Sequence, residues 1–364
     1  MPEHKVLLSL RGLRKTFDTQ EALDGLDLDV FEGEFITLLG PSGCGKTTTL
    51  RIIAGLEMPT EGSVHLDGQD ITHLAPEKRE VNTVFQNYAL FPHMNVYKNI
   101  AYGLALRGMD KSDIKRRVNE MLDLVQLEGY EKRMPSQLSG GQRQRVAIAR
   151  SLILSPKLLL LDEPLGALDL QLRRQMQQEL KSMQQLLCIT FIYITHDQVE
   201  ALPMSDRIAL MRSGRFVQLD TPKGLYEQPH TAFAASFIGE TNLVTARVEA
   251  IKEKEVLLNI AGFTLPCYCE DWLTPGENIL LSLRAERIHL SALPVNTPCR
   301  VTGELIESHY AGGERVSLIR LMDGQVLRVR ATTESEAEPE LGSTVYAWWN
   351  QLSGVIVRDD RVSS

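Results

Sequence analysis

Two kinds of apolar pattern alternate along the first two thirds of the chain. Short apolar runs at residues 35–39, 158–161 and 191–194 predict buried strands, and 81–85 reads as a further strand. Between them apolar residues recur at helical spacing. Leu50, Ile52 and Ile53 mark one helix over 48–55, and Ile114, Val118, Met121, Leu122 and Val125 mark a second over 110–127. Val146, Ile148 and Leu152 mark a third, and Leu172, Met176, Leu180, Met183 and Leu187 a fourth whose methionines read as core. The first stretch differs. Residues 5–10 and the alternation Leu26, Leu28, Val30 predict half-buried antiparallel strands, and 63–66 runs as a strand into the turn Asp67-Gly68. Near Gly239 the pattern changes to short β-rich runs at 243–248, 256–260, 279–283, 316–321, 326–329 and 345–349, separated by Gly and Pro. The acidic segment 334–340 reads as a solvated loop. The expected organisation is an α/β domain over 1–238 and a β-rich barrel or sandwich over 239–364.

Chemistry gathers where the buried strands end. Residues 40–47, Gly-Pro-Ser-Gly-Cys-Gly-Lys-Thr, follow the first buried strand and open the first helix, at the spacing of a phosphate-binding P-loop. The glycines let successive N–H groups point into one concavity, and the helix N-terminus adds about half a positive charge. Gly40, Ser42, Gly43, Cys44, Gly45, Lys46, Thr47 and Thr48 are therefore the candidate nucleoside triphosphate site. Lys46 would reach the terminal phosphates, and the Thr47 hydroxyl would ligate Mg²⁺. Cys44 lies where a helix dipole would acidify a thiol and where burial would silence it. Ser139 is a candidate N-cap for a helix led by Gly140, Gly141 and Gln142, a second exposed set of N–H groups for an anion. The run 158–161 delivers Asp162, placed to support Mg²⁺ through water, and Glu163, placed to polarise an attacking water. The run 191–194 delivers His196, within the pattern of a γ-phosphate ligand. Gln86 leaves the 81–85 strand either as a loop residue or as a ligand to Mg²⁺ or water, and Phe17 suits either base stacking or the core.

Composition narrows the class. A net charge of −8 argues against a general nucleic-acid binder, and no apolar run approaches the ~20 residues of a membrane span. The run 6–10, broken by Arg11, is too short for a signal peptide, which leads to the expectation of a cytosolic chain. Cys44, Cys188, Cys267, Cys269 and Cys299 lack zinc spacing and read as reduced thiols, with Cys267 and Cys269 on one strand face.

Taken in order, residues 40–47, Gln86, 138–142 (Leu-Ser-Gly-Gly-Gln), Asp162-Glu163, 167–169 (Ala-Leu-Asp) and His196 make the chain resemble the ATPase subunit of an ABC transporter over residues 1 to about 236. The resemblance implies a largely parallel core sheet with antiparallel and helical subdomains. It implies that Phe17 stacks on adenine, Lys46 and the loop hold phosphates, Thr47 and Gln86 bind Mg²⁺, Glu163 is the base and His196 contacts the γ-phosphate. It also implies a head-to-tail homodimer in which Ser139, Gly140, Gly141 and Gln142 close over the partner's ATP. Residues 88–96 would dock a membrane subunit. The C-terminal part is similar to the oligonucleotide-binding-like regulatory domain of bacterial importer ATPases, with 283–288 resembling a Leu-Arg-Pro-Glu motif in which Ala285 replaces proline. Gly166 stands where serine is usual, and Pro203 should kink or end the helix after His196. Residues 38–56, 81–92 and 204–207 look most like spermidine/putrescine importer ATPases, with ferric-iron, sulfate and sugar importers sharing much of the text. The implied setting is the cytoplasmic face of the inner membrane, beside two permease subunits and a periplasmic or lipid-anchored binding protein. A soluble ABC ATPase acting on nucleic acid or ribosomes is the alternative, without its expected second cassette or basic extension.

Overall fold

The computed structural model describes residues 5–361 apart from 167, 254, 269–272 and 333–338. Ala167, Cys269, Trp272 and the body of the acidic segment therefore lie outside the described residues. The chain divides into two compact units, Met1–Pro222 and Lys223–Ser364.

In the first unit, β1 (Val6–Phe17), β2 (Gln20–Phe31), β4 (Glu61–Leu66) and β5 (Gln69–Asp70) form an antiparallel sheet in the order β2-β1-β4-β5. The β4–β5 turn is made by Asp67 and Gly68, both at positive φ. The second sheet contains β3 (Phe35–Leu39), β6 (Val81–Val84), β7 (Leu158–Asp162), β8 (Thr190–Thr195), β9 (Arg207–Arg212) and β10 (Arg215–Asp220), in the order β10-β9-β3-β8-β7-β6. All its pairings are parallel except β9 with β10. The unbroken apolar runs are explained by what lies on each face. Leu158, Leu160 and Ile192 pack with α1 (Lys46–Ala54) and the antiparallel sheet, whereas Leu159, Leu161, Phe191 and Tyr193 pack with the helical side. That side contains α2 (Val96–Leu106), α3 (Lys111–Leu124), α4 (Gly140–Leu152) and α5 (Leu170–Leu187). α6 (Gln198–Met204) carries Pro203 in its last turn and stops one residue later, the proline removing the N–H that would bond back to the preceding turn.

The second unit holds two short helices, α7 (Pro222–Glu227) and α8 (Ala232–Phe237), and two antiparallel sheets. One sheet runs β13-β12-β11-β14-β20, built from β11 (Thr241–Lys252), β12 (Glu255–Ile260), β13 (Phe263–Tyr268), β14 (Asn278–Arg284) and β20 (Gly354–Val357). The other runs β15-β19-β16-β17-β18, built from β15 (His289–Ser291), β16 (Arg300–Tyr310), β17 (Glu314–Leu321), β18 (Val326–Thr332) and β19 (Thr344–Trp348). One apolar core between the sheets draws on both, from Val244, Leu258 and Leu283 to Val301, Ile319 and Ala347. Arg284, 4 % exposed, donates to the Ala235 carbonyl at 2.8 Å, to Ile238 and to the Tyr226 carbonyl at 2.8 Å. It thus satisfies carbonyls at the ends of both helices. In the run 283–288 the arginine is a structural clasp.

Candidate functional site

The candidate residues converge because β3, β8, β7 and β6 are neighbours and share one direction. Leu39 pairs with Thr195, Ile194 with Asp162 and Leu161 with Val84, so the strands finish level. β3 delivers the 40–47 loop, β8 delivers His196, β7 delivers Asp162 and Glu163, and β6 delivers Gln86. This is the carboxyl edge at which open α/β sheets bind ligands.

Backbone geometry makes the loop. Gly45 has φ 108°, and a Cβ there would lie 2.6 Å from Leu23 Cδ2 and 2.8 Å from the Ala22 carbonyl. At Gly40 a Cβ would lie 2.3 Å from the Met211 carbonyl. Lys46 is buried, and its ammonium donates to the carbonyls of Gly40 (2.8 Å) and Pro41 (2.9 Å), so the charge is held at the mouth of the loop. Thr47 Oγ1 is 3.4 Å from Asp162 Oδ1. Burial and the adjacent Glu163 carboxylate push the Asp162 carboxyl above its ordinary range, against the pull of Thr47 and Lys46. Burial likewise outweighs the Lys46 charge at Cys44 and pushes that thiol up, on the side of the buried, inert alternative.

Glu163 occupies the left-handed region at φ 43°, a strained place for a side-chain-bearing residue. Its two oxygens are engaged on opposite sides, with His196 Nδ1 at 3.1 Å and Gln86 Nε2 at 3.5 Å. Gln86 and His196 are both exposed at the sheet edge. Ser139 caps α4 through a reciprocal pair with Gln142: the Gln142 N–H donates to Ser139 Oγ (3.3 Å) and the Ser139 N–H to Gln142 Oε1 (3.0 Å). The first turn of α4 packs on Leu168 and Leu172, while the near neighbours of the 40–47 loop are Ala22, Leu23, Met211 and Asp162. Phe17 is 45 % exposed with Lys15 Nζ 4.7 Å from its ring centroid, so the core alternative is excluded and a free aromatic face remains.

Several positioning residues escaped the sequence reading. Tyr88 (φ 61°) and Ala89 (φ 43°) are two successive left-handed residues behind Gln86, and Arg150 holds their carbonyls at 3.2 and 2.8 Å. The Tyr88 hydroxyl donates to the Pro164 carbonyl at 3.2 Å, tying this loop to the residue after Glu163. Asn99, fully buried, accepts from the Phe91 N–H (2.9 Å) and donates to Met94 (2.9 Å). An asparagine on the apolar face of a helix was the available signal.

Comparison with known proteins agrees with this geometry. The family model described as ABC transporter matches residues 23–166, and that described as TOBE domain matches 281–357. A spermidine/putrescine import ATP-binding protein PotA from Marinobacter nauticus is 48% identical over 350 residues, covering 95% of this chain and 93% of that one. The protein of the same name from Rubrobacter xylanophilus is 49% identical over 360 residues, covering 98% and 95%. Among solved structures, a dimeric ATP-binding cassette in a post-hydrolysis state with ADP and Pi is 32% identical with TM-score 0.54, covering 60% of this chain and 100% of that one. This chain belongs to the family of ABC transporter ATP-binding subunits that carry a TOBE domain.

Proposed function

We propose that this chain is the ATP-hydrolysing motor of a spermidine/putrescine importer. The observation that carries the enzymatic part is the level arrival of the P-loop, His196, Asp162-Glu163 and Gln86 on four adjacent parallel strands. The polyamine part rests on near-full-length relatives that bear that name.

In this reading the N–H groups of residues 40–48 and the Lys46 ammonium take the phosphates, and Phe17 stacks on the adenine. Glu163, steered by His196 and Gln86, accepts a proton from water as its oxygen attacks the γ-phosphorus and the bond to the β,γ-bridging oxygen breaks. His196 holds the γ-phosphate. The oxygen donors fit Mg²⁺: Thr47 and Gln86 would hold it with Asp162 behind, where a cation would offset the burial and the Glu163 carboxylate that push the Asp162 carboxyl up. When bound, the ion neutralises phosphate charge. The active unit is a head-to-tail homodimer in which Ser139, Gly140, Gly141 and Gln142 close the partner's site. Residues 88–96 meet two permease subunits at the cytoplasmic face of the membrane, and a binding protein presents the solute. No helix among the described residues is long and apolar enough to cross a membrane, in keeping with a peripheral subunit.

Glu163→Gln should retain ATP binding and lose turnover by roughly a hundredfold or more. In the complex reconstituted with its membrane and binding-protein partners, spermidine or putrescine should stimulate ATPase activity. Stimulation by ferric iron, sulfate or a sugar instead would remove the polyamine assignment and leave the motor standing.

A further inference from the structure

Arg173 lies in the first turn of α5 and belongs to none of the motifs above. Its guanidinium reaches two segments, the loop before α5 and the capped start of α6. Nη2 donates to the Leu168 carbonyl at 3.1 Å, in the loop that joins Glu163 to α5. Nη1 donates to the Asp197 carboxylate at 3.1 Å, next in the chain to His196. Nε stands 3.6 Å from Glu200 Oε1, an ion-pair distance without a hydrogen bond. Glu200 is 3 % exposed, and its other oxygen accepts from the Tyr193 hydroxyl (2.7 Å) and Thr195 Oγ1 (2.8 Å). Thr195 Oγ1 in turn accepts from the Asp197 N–H at 3.0 Å.

A carboxylate this deep requires a counter-charge and filled lone pairs, and Arg173 supplies the charge. The same guanidinium then spends its remaining donors on the two loops that flank the site. Leu168 also supports the start of α4, since a Cβ at Gly140 would lie 3.3 Å from Leu168 Cδ2. One planar fork therefore sets the His196 loop, the loop leaving Glu163 and the first turn of α4 relative to one another. A lysine ammonium, a point charge on a flexible stem, cannot span the Leu168 and Asp197 acceptors with the same fixed geometry.

We infer that Arg173 is a positioning residue for ATP hydrolysis, coupling the Leu168 loop to the His196 loop through buried Glu200 without touching the nucleotide. The inference rests on the ATPase reading of the site. It fits the distribution of contacts, for none of Arg173's partners lies in the 40–48 loop that grips the phosphates.

The test is steady-state ATPase kinetics of the full chain with Arg173→Lys and Arg173→Met, with Tm measured alongside. Misplacement of the His196 loop should lower kcat about tenfold in Arg173→Met and less in Arg173→Lys, while KM for ATP stays within about twofold. Arg173→Met strands a buried carboxylate, so the double variant Arg173→Met/Glu200→Gln, which removes both charges, carries the same kcat expectation if the single variant fails to fold. A folded Arg173→Lys and double variant at wild-type kcat, with only Tm lowered, would overturn the inference. So would a loss that appears wholly in KM. Wild-type protein devoid of ATPase activity would instead overturn the reading on which the inference rests.

Discussion

The glycines of the P-loop separate into those the fold needs and those the ligand needs. A Cβ at Gly40 would run into the Met211 carbonyl at 2.3 Å, backbone that cannot yield, whereas at Gly43 nothing lies within 4 Å although φ is 80°. Gly40→Ala should therefore cost folding stability, on the order of 3 kcal/mol, because strand-end backbone must separate. Gly43→Ala should cost only about 1 kcal/mol of left-handed strain. In the proposed function the open space beside Gly43 is where phosphates would approach, so Gly43→Ala should stay folded yet bind ATP more weakly. Thermal melting and ATP titration of the two variants check this split, and an unfolded Gly43→Ala would refute it. Cys44 makes the complementary case. It is 4 % exposed with its thiol pushed up, while Cys188 is exposed at the end of α5. Alkylation at neutral pH should label Cys188 at least about tenfold faster than Cys44 and leave ATPase activity intact.

At the scale of elements, β14 and the two short helices of the second unit stand or fall together through Arg284. Arg284→Met leaves carbonyls of Tyr226, Ala235 and Ile238 without their donor, a loss of about 3 kcal/mol or more. The described tryptophans, Trp348 and Trp349, lie in this unit, so the denaturant midpoint read by emission should fall. Tyr226 adds a pH signature. Burial and its hydrogen bond to Glu286 push the phenol up to about 12. Above its unfolded value of about 10 the unfolded chain loses that proton first, so stability drains away as pH rises from about 10 to 12. Tyr226→Phe should flatten that alkaline limb of the emission-detected stability curve. Neither device was readable in the chain, because Tyr226 and Arg284 are far apart in sequence and of types usually found outside. The strands that escaped notice have equally local reasons. β16 buries only Val301 and Leu305 of its residues, too sparse for alternation, and in β13 only the stretch around Cys267 read as strand because Pro266 precedes it, tolerated because β13 is a sheet edge. β3, β7 and β8 were legible because both faces are covered and their residues are almost all apolar, whereas β6, a sheet edge carrying half-buried Asn82 and Thr83, was marked only by Val81 and Val84.

At the scale of the whole molecule, the legible part of the site is the part that works through backbone: glycine-led helix starts and strand ends have fixed spacing, so they can be read off the chain. In the proposed dimer a second copy closes the site, and the placement of the two helix starts bears on that proposal. α4 begins against Leu168 and Leu172, and the P-loop sits among Ala22, Leu23, Met211 and Asp162, so the two anion-binding helix starts have separate surroundings. If each pocket takes its P-loop from one copy and its α4 start from the other, complementary damage must be repairable by mixing. Lys46→Ala removes the ammonium proposed to grip the phosphates. Gly140→Asp places a carboxylate at a helix N-terminus, which favours the helix and repels phosphate. Each variant alone should be inactive. Mixed one to one, half of the dimers are heterodimers, and each holds one pocket built from undamaged parts. Activity should then return to about a quarter of wild type if a single pocket turns over independently. Pockets built within one chain would give no recovery at any mixing ratio, because every chain carries a lesion in its own site.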